Sequence, residues 1–173
     1  MAILDNPERW IQDYTAGWLA HHQQTGEFDW KLYPRPYNDP LPPTPGIDLS
    51  QSRLVLISSA GGYLKDTQEP FDAPHPYGDY TLRTFPLDTP FDALAYAHDH
   101  YDHTAVNTDP QVLLPLRHLR DLEKTGVIGE VMPTVISYSG YLTDVIRIAD
   151  ELTPAVLALA QEMGAQAALL VPS

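Results

Sequence analysis

Ser52-Arg53-Leu54-Val55-Leu56-Ile57-Ser58-Ser59-Ala60-Gly61-Gly62 is the stretch on which the fold turns. A continuous apolar run without polar alternation is the pattern of a strand covered on both faces, as in the interior of a parallel sheet. The run closes on small residues, where a tight turn lets backbone approach a ligand. Gly61 and Gly62 are therefore candidate substrate-binding positions. They lack the spacing of a dinucleotide fingerprint, so no nucleotide cofactor is expected.

Downstream, Val127 to Gly140 reads as apolar extended structure broken by Pro133 and ending in a second small-residue turn. Ala165 to Val171 reads as one more buried strand. Asp109 is placed to cap a helix begun by Pro110, with Val112, Leu113, Leu116, Leu119 and Leu122 on one stripe and Gly126 just past its end. Leu142, Val145, Ile146, Ala149 and Leu152 recur at helical spacing up to Thr153-Pro154, where a break or kink is expected before Val156, Leu157, Ala160 and Met163. Strand, helix and strand at this spacing predict a right-handed parallel crossover. The expected fold is α/β, a single domain with a mainly parallel, Rossmann-like sheet, an N-terminal helix and a proline-rich arm.

Upstream, Asp5 or Asn6 can cap a helix whose first turn takes Pro7, and Trp10, Ile11, Tyr14, Trp18 and His21 follow on one face until Gly26. Aromatic residues at this spacing read as core rather than as a partner surface. Residues 28 to 48 carry runs such as Tyr33-Pro34-Arg35-Pro36 and Leu41-Pro42-Pro43-Thr44-Pro45, which deny the backbone both donors and helical dihedrals. This arm is expected to drape over its own domain, anchored by Trp30, Tyr33 and Tyr37. The domain organisation expected is residues 1–51 as helix and arm, and 52–173 as the α/β domain proper.

Composition narrows the function. Apolar residues make up 43% of 173 and charged residues 19%, a globular balance. The net charge of −13 with ten Lys and Arg excludes a phosphate-binding surface, so no nucleic acid is expected. There is no cysteine, hence no thiolate nucleophile and no thiolate metal ligand among these residues. No apolar run has the length of a signal peptide or a membrane span, and a soluble cytoplasmic protein without membrane contact is expected.

Two segments concentrate chemistry. Residues 97 to 110 hold His98, His100, Asp102 and His103 in the order H-x-H-x-D-H, the first half of a zinc-hydrolase signature. The later ligands of such a site are missing, because the one downstream histidine, His118, falls within the helical stripe. A metal-dependent hydrolase is thus an alternative of low standing, no metal is expected, and a solvated acidic loop is the plain reading. Between residues 65 and 90, Glu69-Pro70-Phe71-Asp72 and Gly78 to Arg83 put a carboxylate, Asp79, near a guanidinium, Arg83. They form either a substrate clamp or a surface ion pair.

From about Arg53 onward the chain resembles the selenoprotein B family of the glycine, sarcosine, betaine and D-proline reductases. The resemblance is carried by Ile57 to Gly62, Pro70-Phe71-Asp72, Gly78-Asp79 with Arg83, His98 with His100-Tyr101-Asp102, Asn107-Thr108-Asp109, and Leu114 to Leu122 running into Gly126-Val127-Ile128-Gly129. It implies a reductase subunit in which a selenocysteine or cysteine attacks the carbon bearing an amino group and displaces the amine. On that reading His98, Asp102 and His103 are catalytic candidates, and Gly61, Gly62, Asp79, Arg83 and Asn107 bind the substrate. The partners implied are a small polar substrate such as an amino acid or betaine, and other reductase subunits or a second copy; no cofactor is implied.

The family's redox motif would follow a strand like Ala168-Leu169-Leu170-Val171, and no cysteine stands there. The chain as given is therefore expected not to turn over substrate. The expectation is that it is the amino-terminal portion of a longer selenoprotein, read as ending at an in-frame UGA codon; a natural short homologue is the competing reading. A non-catalytic ligand-binding or protein-interaction module, contacted through the Trp10–Trp18 helix and the arm, is the main alternative function.

Overall fold

The computed structural model describes residues 4–38 and 46–173, so the Leu41 to Pro45 part of the proline arm lies outside the described residues. The chain divides into two compact units, Met1–Thr44 and Pro45–Ser173.

In the first unit, Asn6 caps α1 (Pro7–Asp13) by accepting the Arg9 amide. A π-helical stretch, Tyr14–Leu19, joins α1 to α2 (Ala20–Thr25), and Gly26 stops the helix in the left-handed conformation. Trp10, Tyr14 and Trp18 stack in succession at 4.8 and 5.5 Å between ring centroids. Phe28 stacks on Trp18 at 5.3 Å, Tyr33 meets Trp18 edge-on at 5.6 Å, and the Trp10 indole donates to the Pro34 carbonyl. The aromatic stripe is thus core, and the described part of the arm folds back onto it.

The second unit is built on β1 (Arg53–Ser58). It is followed by β2 (Gly62–Leu64), β3 (Arg83–Pro86), β4 (Leu94–Tyr96), α3 (Thr104–Thr108), α4 (Leu116–Lys124), β5 (Glu130–Val131), β6 (Thr134–Ser137), α5 (Val145–Arg147), α6 (Thr153–Glu162) and β7 (Ala167–Val171). β1 lies parallel to β5 and β6 on one side and to β7 on the other, while β3 runs antiparallel along the outside of β6. The expected α/β architecture with a mainly parallel central sheet is present. The small β2–β4 antiparallel pair stands apart from that sheet.

Pro133 explains the break between β5 and β6. Leu54 pairs with Val131 and Ile57 with Ile136, so two residues of β1 face four of its partner. Pro133 cannot donate to a ladder, and the surplus residues bulge there; its carbonyl accepts the Leu87 amide instead.

Each face of the sheet has its own core. Leu54, Leu56, Val131 and Val135 pack with Leu116 and Leu119 of α4, and with Leu114, Phe85 and Leu87. Val55, Ile57, Met132 and Ile136 pack with Val156, Leu159, Ala160 and Met163 of α6. The connection from β1 to β5 carries α4 and steps one way along the sheet. The connection from β6 to β7 carries α6 and steps back across β1. Crossovers of one hand that step in opposite directions lay their helices on opposite faces, as observed.

Three expectations need correction. The helix expected from Pro110 begins at Leu116: Asp109 caps only a short 3₁₀ turn, Pro110–Val112, and Pro115 disfavours helical dihedrals at Leu114. The helix expected to break at Thr153-Pro154 runs through, because a π-helical turn over Ile148–Leu152 precedes the proline and absorbs its ring and missing donor. The last strand is not buried on both faces: β7 is an edge strand, and Leu170 is 66% exposed.

Candidate functional site

The carboxyl ends of β1 and β6 are adjacent, and their outgoing connections leave to opposite faces of the sheet. Such a divergence opens a crevice at which α/β sheets bind ligands. Here Ser59-Ala60-Gly61 and Tyr138-Ser139-Gly140 lie side by side at that position, joined by Gly61 N–H to Tyr138 O at 2.9 Å and Gly140 N–H to Ser59 O at 2.9 Å. Gly61 is at φ +67°, and a Cβ there would overlap the Ala97 carbonyl, so the turn admits only glycine. That close approach delivers the histidine segment to the strand ends.

His98 is the residue so delivered. It is 4% exposed. Its Nδ1 accepts the His100 amide at 3.2 Å, so the neutral ring carries its proton on Nε2, which faces Ser173 Oγ at 3.4 Å. The remaining donors sort themselves out. Ser173 N–H donates to Ser59 Oγ at 2.8 Å and the Ser173 hydroxyl to the Ser59 carbonyl at 3.1 Å. The Ser59 hydroxyl is left to donate to Ser173 Oγ at 3.0 Å. Burial, reinforced by His100 and His103, holds the His98 pKa below the ordinary histidine value and keeps the ring neutral.

The neighbours of His98 brace it. His103 Nε2–H donates to the His98 carbonyl at 2.7 Å. Tyr101 stacks on His103 at 4.4 Å and donates its hydroxyl to the Ala60 carbonyl at 3.2 Å. Burial pushes the Tyr101 phenol up to about 12, so it stays a donor. His100 stacks on Tyr141 at 3.6 Å. Asp102, exposed and two residues before α3, accepts from the Thr104 amide at 2.9 Å and hydroxyl at 2.7 Å, bonds that lower its pKa.

The zinc-signature letters therefore do not make a metal site. His98, His100, Asp102 and His103 each have separate work, and among the described residues no three His, Cys, Asp or Glu side chains are arranged to hold a metal ion. The metal-hydrolase alternative has no geometric support.

The other predicted positions are divided. Gly61 and Gly62 are at the end of β1, beside His98 and Ser137 respectively. Asp79 and Arg83 form one bracket: Asp79 accepts from the Asp72 and Thr81 amides, Arg83 donates to Thr81 Oγ1, to Glu69 O and to Pro70 O, and its guanidinium lies 4.5 Å from the Phe71 ring centroid. Burial tends to raise the Asp79 pKa, and the hydrogen bonds from Thr81 and Asp72 together with Arg83 outweigh it, leaving it lowered. The backbone of Arg83 pairs with Ser137 at the sheet end that carries His98. Asn107 is on α3 and lines a separate cavity of about 370 Å³ with Tyr96 and His103.

Sequence reasoning missed Ser59, Ser173, Gly140 and Tyr101. A Cβ on Gly140 would lie 3.0 Å from both Ser59 Oγ and Ser173 Oγ and 3.1 Å from His98 Nε2, which makes glycine a requirement of the polar cluster. The available signal was the repetition of a small-residue turn after each of the two strands, Ser58 to Gly62 and Ser137 to Gly140.

Comparisons with known proteins show the family. The family described as glycine/sarcosine/betaine reductase selenoprotein B matches residues 19–172. Sarcosine reductase complex component B subunit beta of Peptoclostridium acidaminophilum is 33% identical over 116 residues, 65% of this chain and 26% of that protein. Glycine reductase complex component B subunit gamma of Symbiobacterium thermophilum is 34% identical over 102 residues, 57% of this chain and 24% of its own length. D-proline reductase subunit gamma of Acetoanaerobium sticklandii is 28% identical over 123 residues, 71% of this chain and 49% of its own length. The chain thus spans between about a quarter and a half of these relatives. No solved structure matches it significantly. With a family match over most of its length, the chain belongs to the glycine/sarcosine/betaine reductase selenoprotein B family.

Proposed function

We propose that this chain is the substrate-holding part of a reductase subunit that acts in the reductive removal of an amine. The observation that carries the reading is the single hydrogen-bond order of His98, Ser59 and Ser173 beside Gly140. A ligand head would take over contacts that are now internal: the neutral His98 imidazole donates through Nε2–H, which faces Ser173 Oγ, and the two hydroxyls can turn from each other to the ligand. His103 and Tyr101 fix that geometry, and Asp102 fixes the start of α3. Arg83 supplies positive charge for a substrate carboxylate and Asp79 negative charge for its amine. Both are already ordered by hydrogen bonds, so little further side-chain freedom is lost on binding.

The chemical step needs a chalcogenolate that displaces the amine from carbon, forming a C–Se or C–S bond as the C–N bond breaks. The 173 residues contain no cysteine, so this chain alone does not perform it. Because the relatives are named as subunits of reductase complexes, the partners proposed are other reductase subunits, and the substrate is a small amino acid or betaine.

Isothermal titration with glycine, sarcosine, betaine and D-proline tests the reading. At least one is expected to bind at millimolar concentration, and His98→Ala to weaken that binding at least tenfold. Released amine in the presence of dithiothreitol should stay at the no-protein background. Absence of binding by all four, or equal binding by His98→Ala, overturns the proposal.

A further inference from the structure

On the α6 face of the sheet, directly below the polar cluster, lies an apolar cavity of about 330 Å³. It is lined by the buried Ile57, by Tyr138, Leu142 and Val156, and by the exposed Leu170. Side chains alternate along extended chain, and Ser59, the residue just past β1, continues the ladder through Val171 O and Gly140 N–H, so its side chain follows Ile57 on the α6 side. Ile57 is therefore followed, one step toward the carboxyl end, by the hydroxyl that bonds Ser173. Gly140 belongs to both places: it lines the cavity, and its missing side chain faces His98, Ser59 and Ser173.

The π-helical turn that accommodates Pro154 contributes Ile148 and Leu152 to the cavity wall, and Thr153 follows at the rim. The size of the cavity and its apolar lining with polar groups near Gly140 match a small-ligand pocket.

We infer that this cavity is a specificity pocket that takes a short aliphatic substituent of the ligand whose polar head is held at His98, Ser59 and Ser173. The inference rests on the proposed ligand site. The ligand class is accordingly an amino acid carrying an unbranched alkyl chain rather than a bare polar molecule. A head bound at the cluster leaves its side chain one route that avoids water, past Gly140 toward Ile57 and Val156.

The test is calorimetric titration of the wild-type chain with glycine, alanine, 2-aminobutyrate, norvaline and norleucine. Each added methylene should tighten binding by about fourfold until the cavity is filled. Thr153→Trp, at an exposed rim position, should flatten that gradient. Leu170→Lys, at an exposed lining position, is the second variant and should flatten it as well. If all five bind equally well, or if both variants keep the full gradient, the pocket inference is overturned while the ligand site at His98 stands. If none of the five binds while sarcosine, betaine or D-proline does, the pocket inference is overturned and the ligand site stands; if none of those binds either, both fall.

Discussion

His98 Nε2 faces the Ser173 hydroxyl at 3.4 Å across 75 residues of sequence, and the contact joins the loop after β4 to the end of β7. Neither residue could be brought there by local structure. β7 holds its register against β1 from Leu54↔Ala167 to Ser58↔Val171, which sets Ser173 beside Ser59. Gly61, whose carbonyl accepts the Ala97 amide at 2.9 Å, sets His98 on the other side.

The first prediction concerns pH. The His98 pKa is depressed in the folded chain, so as pH falls below about 6.5 the unfolded chain takes up that proton before the folded one does. The stability contributed by neutral His98 is whole above that value and is lost as pH falls through the lowered folded value. Urea denaturation from pH 7.5 to 5 should show this decline, and His98→Gln should reduce its slope. The carboxylates with lowered values, Asp79, Asp88, Asp102, Glu123 and Glu151, lose their contributions in a more acidic window and do not mask the effect. An unchanged slope in His98→Gln counts against the assignment.

Glycine substitutions should rank by what a Cβ meets. Gly61→Ala combines a left-handed backbone with overlap on the Ala97 carbonyl and is expected to cost more than about 3 kcal/mol. Gly140→Ala puts a methyl among three polar atoms, costs about 1–3 kcal/mol and weakens ligand binding. Gly26→Ala has open space and only the φ penalty of about 1 kcal/mol. Chemical denaturation of the three variants checks the order.

The Asp88–Arg120–Glu123 cluster is also unequal in its parts. Asp88 is a largely exposed partner of Arg120 at 2.7 Å, and Asp88→Asn should cost under about 1 kcal/mol. Glu123 accepts the Val131 amide at 2.7 Å, where α4 meets β5. Glu123→Ala leaves that donor unsatisfied beside the core and should cost about 1–3 kcal/mol, read as a fall in the urea midpoint.

Zinc should not stabilise the chain. Protein purified without an affinity tag and dialysed should hold well under one zinc per chain, and equimolar zinc should leave the melting temperature in place. A stoichiometric zinc with a clear rise in melting temperature is the contrary result.

Much of this was readable from the chain. Continuous apolar runs at Leu54–Ile57 and Ala167–Val171 announced parallel strands, and Pro133 announced the interruption opposite β1. That the last strand pairs with β1 was not readable, because an apolar run does not name its neighbour in the sheet. The helix boundary at Leu116 was shifted by Pro115, whose effect on its predecessor outweighed the apolar stripe. In the candidate site, His98 and the glycine turn were visible as letters. The histidine segment also spelled a metal motif, and only geometry decided between ligand cluster and brace.

By itself the sequence determined what short-range physics controls: which runs are strands or helices, where glycine and proline force turns, and that no thiol is present among the 173 residues. It also carried the family, through motifs whose order survives in the chain. Tertiary structure alone decided that Ser59, His98, Gly140 and Ser173 share one site and that Asp102 does not join them. The reason is that their meeting depends on the pairing of β1 with β6 and β7 and on the close approach at Gly61. Those are long-range contacts, fixed by which faces of the sheet α4 and α6 cover, and no window of neighbouring residues encodes them.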